Sequence, residues 1–528
     1  MRSHRMTRRD VLRWSVGGAA LAVLQPGARA DADEKVLTVG TSLDIKTLDP
    51  GRTNENAVNS VNHVAYDTLV TFQGEDLKTI RPRLATRWTV SPDGRTYTFT
   101  LRPNLRFATG NPLTSADVKW AFDRLIAING PGAFTLSGVD AVEAPDPLTV
   151  VLRLKDPKPA MLAILTDPVL SPLDTKLVMA HGGDASSSDK AEAWLNQNSA
   201  GSGPYVMTEY TPRQQLVLVR NPHYWAGSAH FDRIVMRSIT EPTDQAVMVA
   251  KGDLDIAGNI GRTEAESLGH DSAVVVKASL NLNNVCVAMN NNPQVGGAFS
   301  NPKVQDAVRY ALDYDGIMKI ADPGAIRAAG VIPTTLPGAR PTREAIKMDR
   351  ARATASLREA NLGEVTGTFT FSPQQSGYGA DTGLLSQKIQ QDLAAVGIKV
   401  TLNGLPYAEW IDQERAAKMQ FGLMGWNADY MDASDYLLFL PGLTVGKRFG
   451  WMPDTPQAQD TLKIGQMAGS EPNATKRLAL YQDADRRMSA GPFVPLYQSS
   501  HLMAYRSNLR NVFWVTGWFV DFGPISRA

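Results

Sequence analysis

The sequence predicts an α/β fold built from more than one lobe, and three observations carry that expectation. The chain has 528 residues, more than one ordinary hydrophobic core serves, so about two or three domains are expected. Strand, helix and strand patterns follow one another twice, over residues 234–256 and again over 368–402, which is the signature of α/β units. Hydrophobic content of 43% with 20% charged residues matches a folded, water-soluble chain.

Taken in order, Lys35 to Gly40 reads as a short strand that ends in a loop at Leu48-Asp49-Pro50. An asparagine-rich segment follows, with Asn54, Asn56, Asn59 and Asn62. Amide side chains donate and accept, which suits a polar ligand and serves loop backbone equally well. Trp88 to Val90 and Tyr97 to Leu101, joined through Pro92-Asp93-Gly94, form a hairpin. Thr114 with Asp117 resembles a capping box, and Val118, Phe122 and Leu125 recur at helical spacing behind it. Residues 181–203 are small and polar, as expected near a domain boundary. Within them Ser187 to Lys190 fits S-x-x-K, but without its companion motifs it reads as a chance match in a mobile loop. Thr243 to Lys251 is helical up to Gly252. Asn301-Pro302 opens a helix, with asparagine as cap and proline at the first helical position. Leu385, Ile389, Leu393 and Val396 form a helical stripe that Gly397 stops, before the strand Ile398 to Leu402. Trp410 precedes a further helix, Thr475 to Met488 is helical, and Phe493 to Gln498 is a strand. The tail aromatics Phe513, Trp514, Trp518, Phe519 and Phe522 read as core.

Charge is uneven along the chain. The first 30 residues hold six arginines and one acid, and the remainder carries 48 basic and 52 acidic residues. Thr7-Arg8-Arg9-Asp10-Val11-Leu12, an apolar stretch from Val16 to Leu24 and Ala28-Arg29-Ala30 match a twin-arginine export signal over residues 1–30. The expected mature protein is soluble, periplasmic and folded before export. No later apolar run reaches the roughly 18 residues a membrane span needs, so no membrane insertion is expected. No basic patch interleaved with aromatics points to nucleic acid. The single cysteine, Cys286, lies in an apolar run and reads as a small buried hydrophobe. The six histidines beyond the first 30 residues are scattered, so neither metal nor cofactor is expected.

One stretch concentrates binding chemistry. In Gly425 to Asp432, Asp429 stands between Trp426 and Tyr430, just after the apolar residues Phe421, Leu423 and Met424. A carboxylate where a strand runs into a loop can pair with a ligand ammonium, and aromatic faces can flank that cation. A solvated loop acid beside core aromatics gives the same pattern.

Three blocks carry a family resemblance. Leu84 to Trp88 with Pro92-Asp93-Gly94, Tyr97 to Arg102 and Phe107 to Val118 form the first. Gly201 to Tyr205 with Arg220 to Trp225 form the second, and Phe299 to Asp313 the third. Together they resemble the periplasmic solute-binding proteins of ABC importers, extracellular family 5, the peptide- and nickel-binding type, over residues 36–528. The resemblance implies a two-lobed periplasmic binding protein of type II, cluster C-like, with an extra small domain and a hinge between lobes. It implies lobe I over 31–72, 201–284 and 498–528, a small inserted domain over 73–200, and lobe II over 285–497. It also implies a monomer that hands its ligand to two permease subunits driven by two ATPases, since the chain has no nucleotide loop of its own.

In peptide-binding members an aspartate three residues after a tryptophan pairs with the ligand's α-ammonium, and Trp426 and Asp429 have that spacing. The resemblance also places Trp410, Asn427 and Tyr430 in the pocket and brings Asn54 and Asn56 from the first lobe. Two departures bear on ligand choice. No cation occurs in Ser372 to Gly377, where some dipeptide binders hold the ligand carboxylate, and Leu423 stands where some oligopeptide binders have arginine. A peptide, an amino-acid derivative such as an opine, and another ammonium-bearing solute all fit this reading. An enzyme is not expected, because H-E-x-x-H and G-x-S-x-G are both absent.

Overall fold

Two long strands organise the molecule. Val274–Met289 and Phe493–Arg506 pair antiparallel along almost their whole length and run through the centre of one large mixed sheet. A computed structural model describes residues 34–53, 55–374 and 376–528; the expected export signal of residues 1–30, Asn54 and Gln375 lie outside the described residues. At one end, Tyr505 and Ala504 pair with Ile256–Ala257, beyond which follow Val36–Thr41, Arg233–Ser238, Gln215–Arg220 and Tyr205–Thr211. At the other end, Val274–Met289 pairs with Phe421–Trp426, and then come Val365–Phe371 and Ile398–Gly404. Each end has its own helices and apolar core, so one sheet serves two lobes.

The ladder breaks where the lobes meet. Leu280 pairs with Ser500 and Asn284 with Gln498, so residues 281–283 face the single residue 499. The freed backbone is satisfied sideways: Leu282 N–H donates to Thr516 Oγ1 at 3.1 Å, and Gln498 Nε2 donates to the carbonyl of Asn281 at 2.7 Å.

The first lobe is built on parallel pairing of Val36–Thr41 with Arg233–Ser238 and with Ile256–Ala257. Helix Pro242–Lys251 connects the latter two and stops at Gly252, whose φ of +85° suits a residue without Cβ. In the second lobe Val365–Phe371 and Ile398–Gly404 are parallel, joined by helix Thr382–Ala394, as the sequence pattern implies. Leu385, Ile389 and Leu393 are buried against this sheet, and Gly397 turns the chain at φ +92°. Helix Pro302–Ala311 is capped by Asn301, whose side chain accepts the Lys303 N–H at 2.8 Å.

A separate four-stranded antiparallel sheet occupies residues 85–154, in the order Ala85–Val90, Thr96–Leu101, Thr149–Leu154 and Val139–Asp146. Helix Ser115–Ile128 covers it with Val118, Phe122 and Leu125. At its start Asp117 reaches back to the Thr114 N–H at 2.9 Å while the Thr114 side chain faces the Asp117 backbone, the expected capping box. The polar stretch after residue 181 is not loose. Asp189 is buried and bonded to Arg124 through both carboxylate oxygens, so the loop is anchored from beneath. Cys286 is buried in the central strand, and burial pushes its thiol up to about 12, which fits the reading of an inert small hydrophobe. Among the described residues no helix is long and apolar enough to cross a membrane.

Candidate functional site

Strand Phe421–Trp426 delivers the site. Its apolar side chains sink into the second lobe, Leu423 among them, so the position where a relative could carry an arginine is core here. Gly425 has no Cβ because one would stand 2.4 Å from the Tyr378 ring and 2.7 Å from Asn283 Oδ1. That close approach seats the strand end against the ladder break. The chain then turns out of the sheet, and the loop carries Asn427, Asp429 and Tyr430.

Asp435 holds this loop. Its Oδ2 accepts both the Trp426 indole N–H at 2.9 Å and the Asp429 backbone N–H at 3.1 Å. Asp432 caps the short helix Ala433–Phe439 by accepting the Ser434 N–H at 2.9 Å. The Tyr430 hydroxyl lies 3.2 Å from Ser434 Oγ. The loop is thus set by its own hydrogen bonds, a prerequisite for a preorganised binding group.

Two spaces flank it. The first is narrow, about 10 Å³, close to the volume of one water. Asp429 and Tyr430 from the second lobe, Asn59 from helix Asn56–Ala65, Asp167 from the small-domain region and Trp518 from the C-terminal ribbon all line it. The second is a chamber of about 420 Å³. Its walls include Thr41, Ser42, Gln245 and Asn259 from the first lobe, Asn281 and Asn283 from the ladder break, and Gly377 and Asn427 from the second lobe. Trp514, Thr516, Phe519 and Phe522 complete it. Three neighbouring pairs, Asn59 with Ser60, Asn427 with Ala428, and Thr516 with Gly517, place one residue in each space, so the two share a wall.

Their electrostatics differ. Among the described residues the chamber is lined by no lysine, arginine, aspartate or glutamate. His501 in its wall stacks on Trp514 at 4.6 Å and bonds through Nε2 to the Gly258 carbonyl at 2.6 Å. Burial lowers His501 to about 4, so it is neutral at physiological pH. The narrow space is acidic. Burial pushes Asp429 up to about 6, with Arg448 pulling the other way. Burial pushes Asp167 up to about 7, opposed by the Val169 N–H and reinforced by Asp429. Among the described residues the Asp429 carboxylate accepts no hydrogen bond and joins no ion pair within 4 Å.

Of the residues singled out from sequence, Asp429 and Tyr430 share the narrow space and Asn427 lines the chamber. Trp426 lines neither: its N–H is spent on Asp435 and its ring meets Phe439 edge-on at 6.2 Å. Trp410 also lines neither. It sits inside helix Tyr407–Arg415 rather than before it, 3% exposed, in a small cluster with Leu405 and Met419. Asn54 lies outside the described residues, as does the side chain of Asn56. The asparagine that does reach the narrow space is Asn59, from the same segment.

Other wall residues carried no clear mark in the sequence. Asp167 reads as an ordinary cap for Pro168–Leu170, a task it also performs by accepting the Val169 N–H at 3.0 Å. Of the tail aromatics, Trp514, Trp518 and Phe522 are buried, as expected of core, and Phe513 and Phe519 are half-buried; Trp514, Phe519 and Phe522 also form the chamber wall. Phe519 adopts φ +59°, a left-handed conformation uncommon for a bulky residue. Positive φ at an aromatic in the chamber wall is a backbone signal visible only in the fold.

The family follows from comparison with known proteins. The sequence model of the bacterial extracellular solute-binding proteins, family 5 (middle region), matches residues 79–445. The chain belongs to this family. Family 5 members are solute-binding proteins of ABC importers, and this chain is one of them. It is 26% identical over 500 residues to the probable D,D-dipeptide-binding periplasmic protein DdpA of Escherichia coli K12, covering 93% of each chain. It is 26% identical over 535 residues to di/tripeptide-binding protein 2 of Pseudomonas aeruginosa UCBPP-PA14, covering 96% of each. Among solved structures, HbpA2 from Haemophilus parasuis superposes with a TM-score of 0.81 at 20% identity, over 93% of this chain and all of that one. NikA from Brucella suis, in complex with Fe(III)-EDTA, gives 0.79 at 20% identity, over 94% of this chain and 100% of that one. These likenesses establish the two-lobed family 5 fold.

Proposed function

We propose that this protein captures peptides or peptide-like, amine-bearing solutes between its two lobes and delivers them to the permease subunits of an importer, whose ATPases supply the energy. The observation that carries this reading is the half-buried Asp429 carboxylate, left without a hydrogen bond or ion pair among the described residues and standing beside a ligand-sized chamber. A carboxylate withdrawn from water tolerates that position when a cation completes it. An α-ammonium supplies the cation, and the uncharged chamber beside it receives the body of the solute. Its volume falls within the range of small-molecule sites. Relatives whose names specify dipeptides, di- and tripeptides and glutathione support the same ligand class. The twin-arginine pattern of residues 1–30 supports a periplasmic workplace reached by export in the folded state. Ligands are released chemically unchanged, as suits a carrier.

Calorimetric titration tests this. Alanyl-alanine should bind the native protein, and N-acetyl-alanyl-alanine should bind at least tenfold more weakly. Asp429→Asn should remove most of that preference while leaving the thermal transition in place. Equal affinity for the free and acetylated amines would sink the assignment of Asp429.

A further inference from the structure

We propose that Asp167 and Asn59 complete, with Asp429, a three-acceptor cradle for a primary ammonium that is divided across the cleft, and that the two carboxylates hold the empty cleft open until a cation joins them. This rests on the reading of Asp429 given above and extends it to residues of the opposite wall.

The geometry has three parts. Asp429 enters the narrow space from the loop after strand Phe421–Trp426, Asp167 from the turn before Pro168–Leu170, and Asn59 from helix Asn56–Ala65. The three come from separate segments of the chain that the fold brings to one space. Asn59 is 4% exposed, lines this space, and its Oδ1 has no hydrogen-bond partner among the described residues. A buried, unsatisfied amide oxygen beside two carboxyls is a set of acceptors waiting for donors. The enclosed volume is that of about one water, which is also the size of an NH₃⁺ group. A primary ammonium offers three N–H donors, and this wall offers one acceptor group for each.

The same arrangement regulates closure. Asp167 uses one oxygen to cap its own turn, which fixes the carboxyl in place, and it lines the same narrow space as Asp429, whose charge adds to the upward push that burial gives Asp167. Bringing two carboxylates together in a dry space is unfavourable unless a proton or a cation intervenes. Ammonium therefore does more than bind one lobe: it cancels the repulsion that opposes shutting. A ligand lacking it meets a cleft that resists closing.

Two measurements test the proposal, with alanyl-alanine as probe. The first needs no variant: successive N-methylation to the N,N,N-trimethyl form keeps the charge while removing donors. The cradle predicts a stepwise loss exceeding a hundredfold overall, and a loss under threefold would overturn it. The second compares Asp167→Asn, which retains the oxygen that caps Val169, with the native protein. Affinity for alanyl-alanine should fall at least tenfold. The radius of gyration of the unliganded variant, by small-angle X-ray scattering at neutral pH, should shrink toward the liganded value. Unchanged affinity together with an unchanged radius would overturn the role of Asp167. Asp429→Asn run in parallel separates the two readings. If it weakens alanyl-alanine while Asp167→Asn does not, only the cradle fails. If neither variant weakens it, or the native protein does not bind alanyl-alanine, the ammonium site itself fails and the cradle with it.

Discussion

Asp435 accepts the indole N–H of Trp426 at 2.9 Å from within the core of the second lobe. The same oxygen takes the backbone N–H of Asp429, so one buried carboxyl sets both the ring and the acid that follows it. The Trp-x-x-Asp spacing therefore works through a third residue. Burial pushes Asp435 well above the ordinary carboxylate range, with Asp429 adding to the effect. Asp435→Ala should strand two buried donors, cost about 1–3 kcal/mol by urea unfolding, and weaken amine ligands although Asp435 touches none. Asp435→Asn keeps an acceptor for both donors and should restore most of the affinity. An alanine variant that binds as tightly as the native protein would show that the loop does not depend on this residue.

Affinity should depend on pH, with a sign set by the acidic pocket. Asp429 is raised to about 6 and Asp167 to about 7, while Arg448 draws Asp429 down and Asp435 stands close behind it. A ligand ammonium pairs with the ionised forms, so binding below these values expels protons. Affinity should rise from about pH 5 to about pH 7.5, by up to roughly tenfold per unit for each proton released, and level off above. Folding stability of the unliganded protein responds the opposite way. These carboxyls hold protons more tightly folded than unfolded, so their contribution is fully present below about pH 4 and is lost as pH rises through 6 and 7. Calorimetry in buffers of differing ionisation enthalpy measures the protons directly. A pH-independent affinity for alanyl-alanine would contradict the pairing.

The uncharged chamber predicts what the far end of the ligand can be. Its polar groups are amides and hydroxyls, with aromatic faces from Trp514 and Phe519, and His501 is neutral. A ligand carboxylate buried there would lack a countercharge, which disfavours it by roughly 2–5 kcal/mol unless amides or water satisfy it. Alanyl-alanine amide should therefore bind at least as tightly as the free acid. A free acid that binds more than about tenfold tighter would point to a cation reaching the chamber from outside the described wall.

Three wall residues of this candidate site, Asn427, Asp429 and Tyr430, were legible in the sequence, and the reasons the others were not are physical. Asp429 stood out because an acid after an apolar strand and between aromatics is unusual in composition, and Asn427 came with it. Asp167 was illegible because its visible task, capping a turn, is satisfied locally; its meeting with Asp429 depends on the tertiary fold alone. Trp410 failed the other way: a tryptophan near the site in sequence faces into its own helix cluster. The tail aromatics read as core because burial and cavity lining leave the same mark in a sequence. The long central strands were underestimated because Asn281, Asn283 and Asn284 interrupt the apolar alternation where the strand crosses the cleft, which is also where the ladder breaks. The elements away from the cleft, with one buried face and ordinary caps, followed their periodicity closely.

The anchoring of the small domain gives a test that is independent of ligand. Arg124, on helix Ser115–Ile128, is almost completely buried. Its guanidinium holds Asp49 at 2.8 and 2.6 Å and Asp189 at 2.8 Å through two nitrogens. Those carboxylates belong to the loop after the first strand and to the polar stretch after residue 181, so one side chain ties three segments together. Arg52 shares the load, 3.0 Å from Asp189, but is partly exposed. Gly51 is packed so closely that a Cβ would stand 2.7 Å from Arg124 Nη1. Removing the guanidinium leaves two buried carboxylates facing each other with only Arg52 to compensate, so Arg124→Met should cost about 3–5 kcal/mol. Adding Asp49→Asn and Asp189→Asn to that variant should recover part of the loss, since the uncompensated charge goes with them. Urea unfolding followed by tryptophan fluorescence measures both. A loss under about 1 kcal/mol in the single variant would mean that water already reaches the network and that the loop is held by its backbone contacts instead.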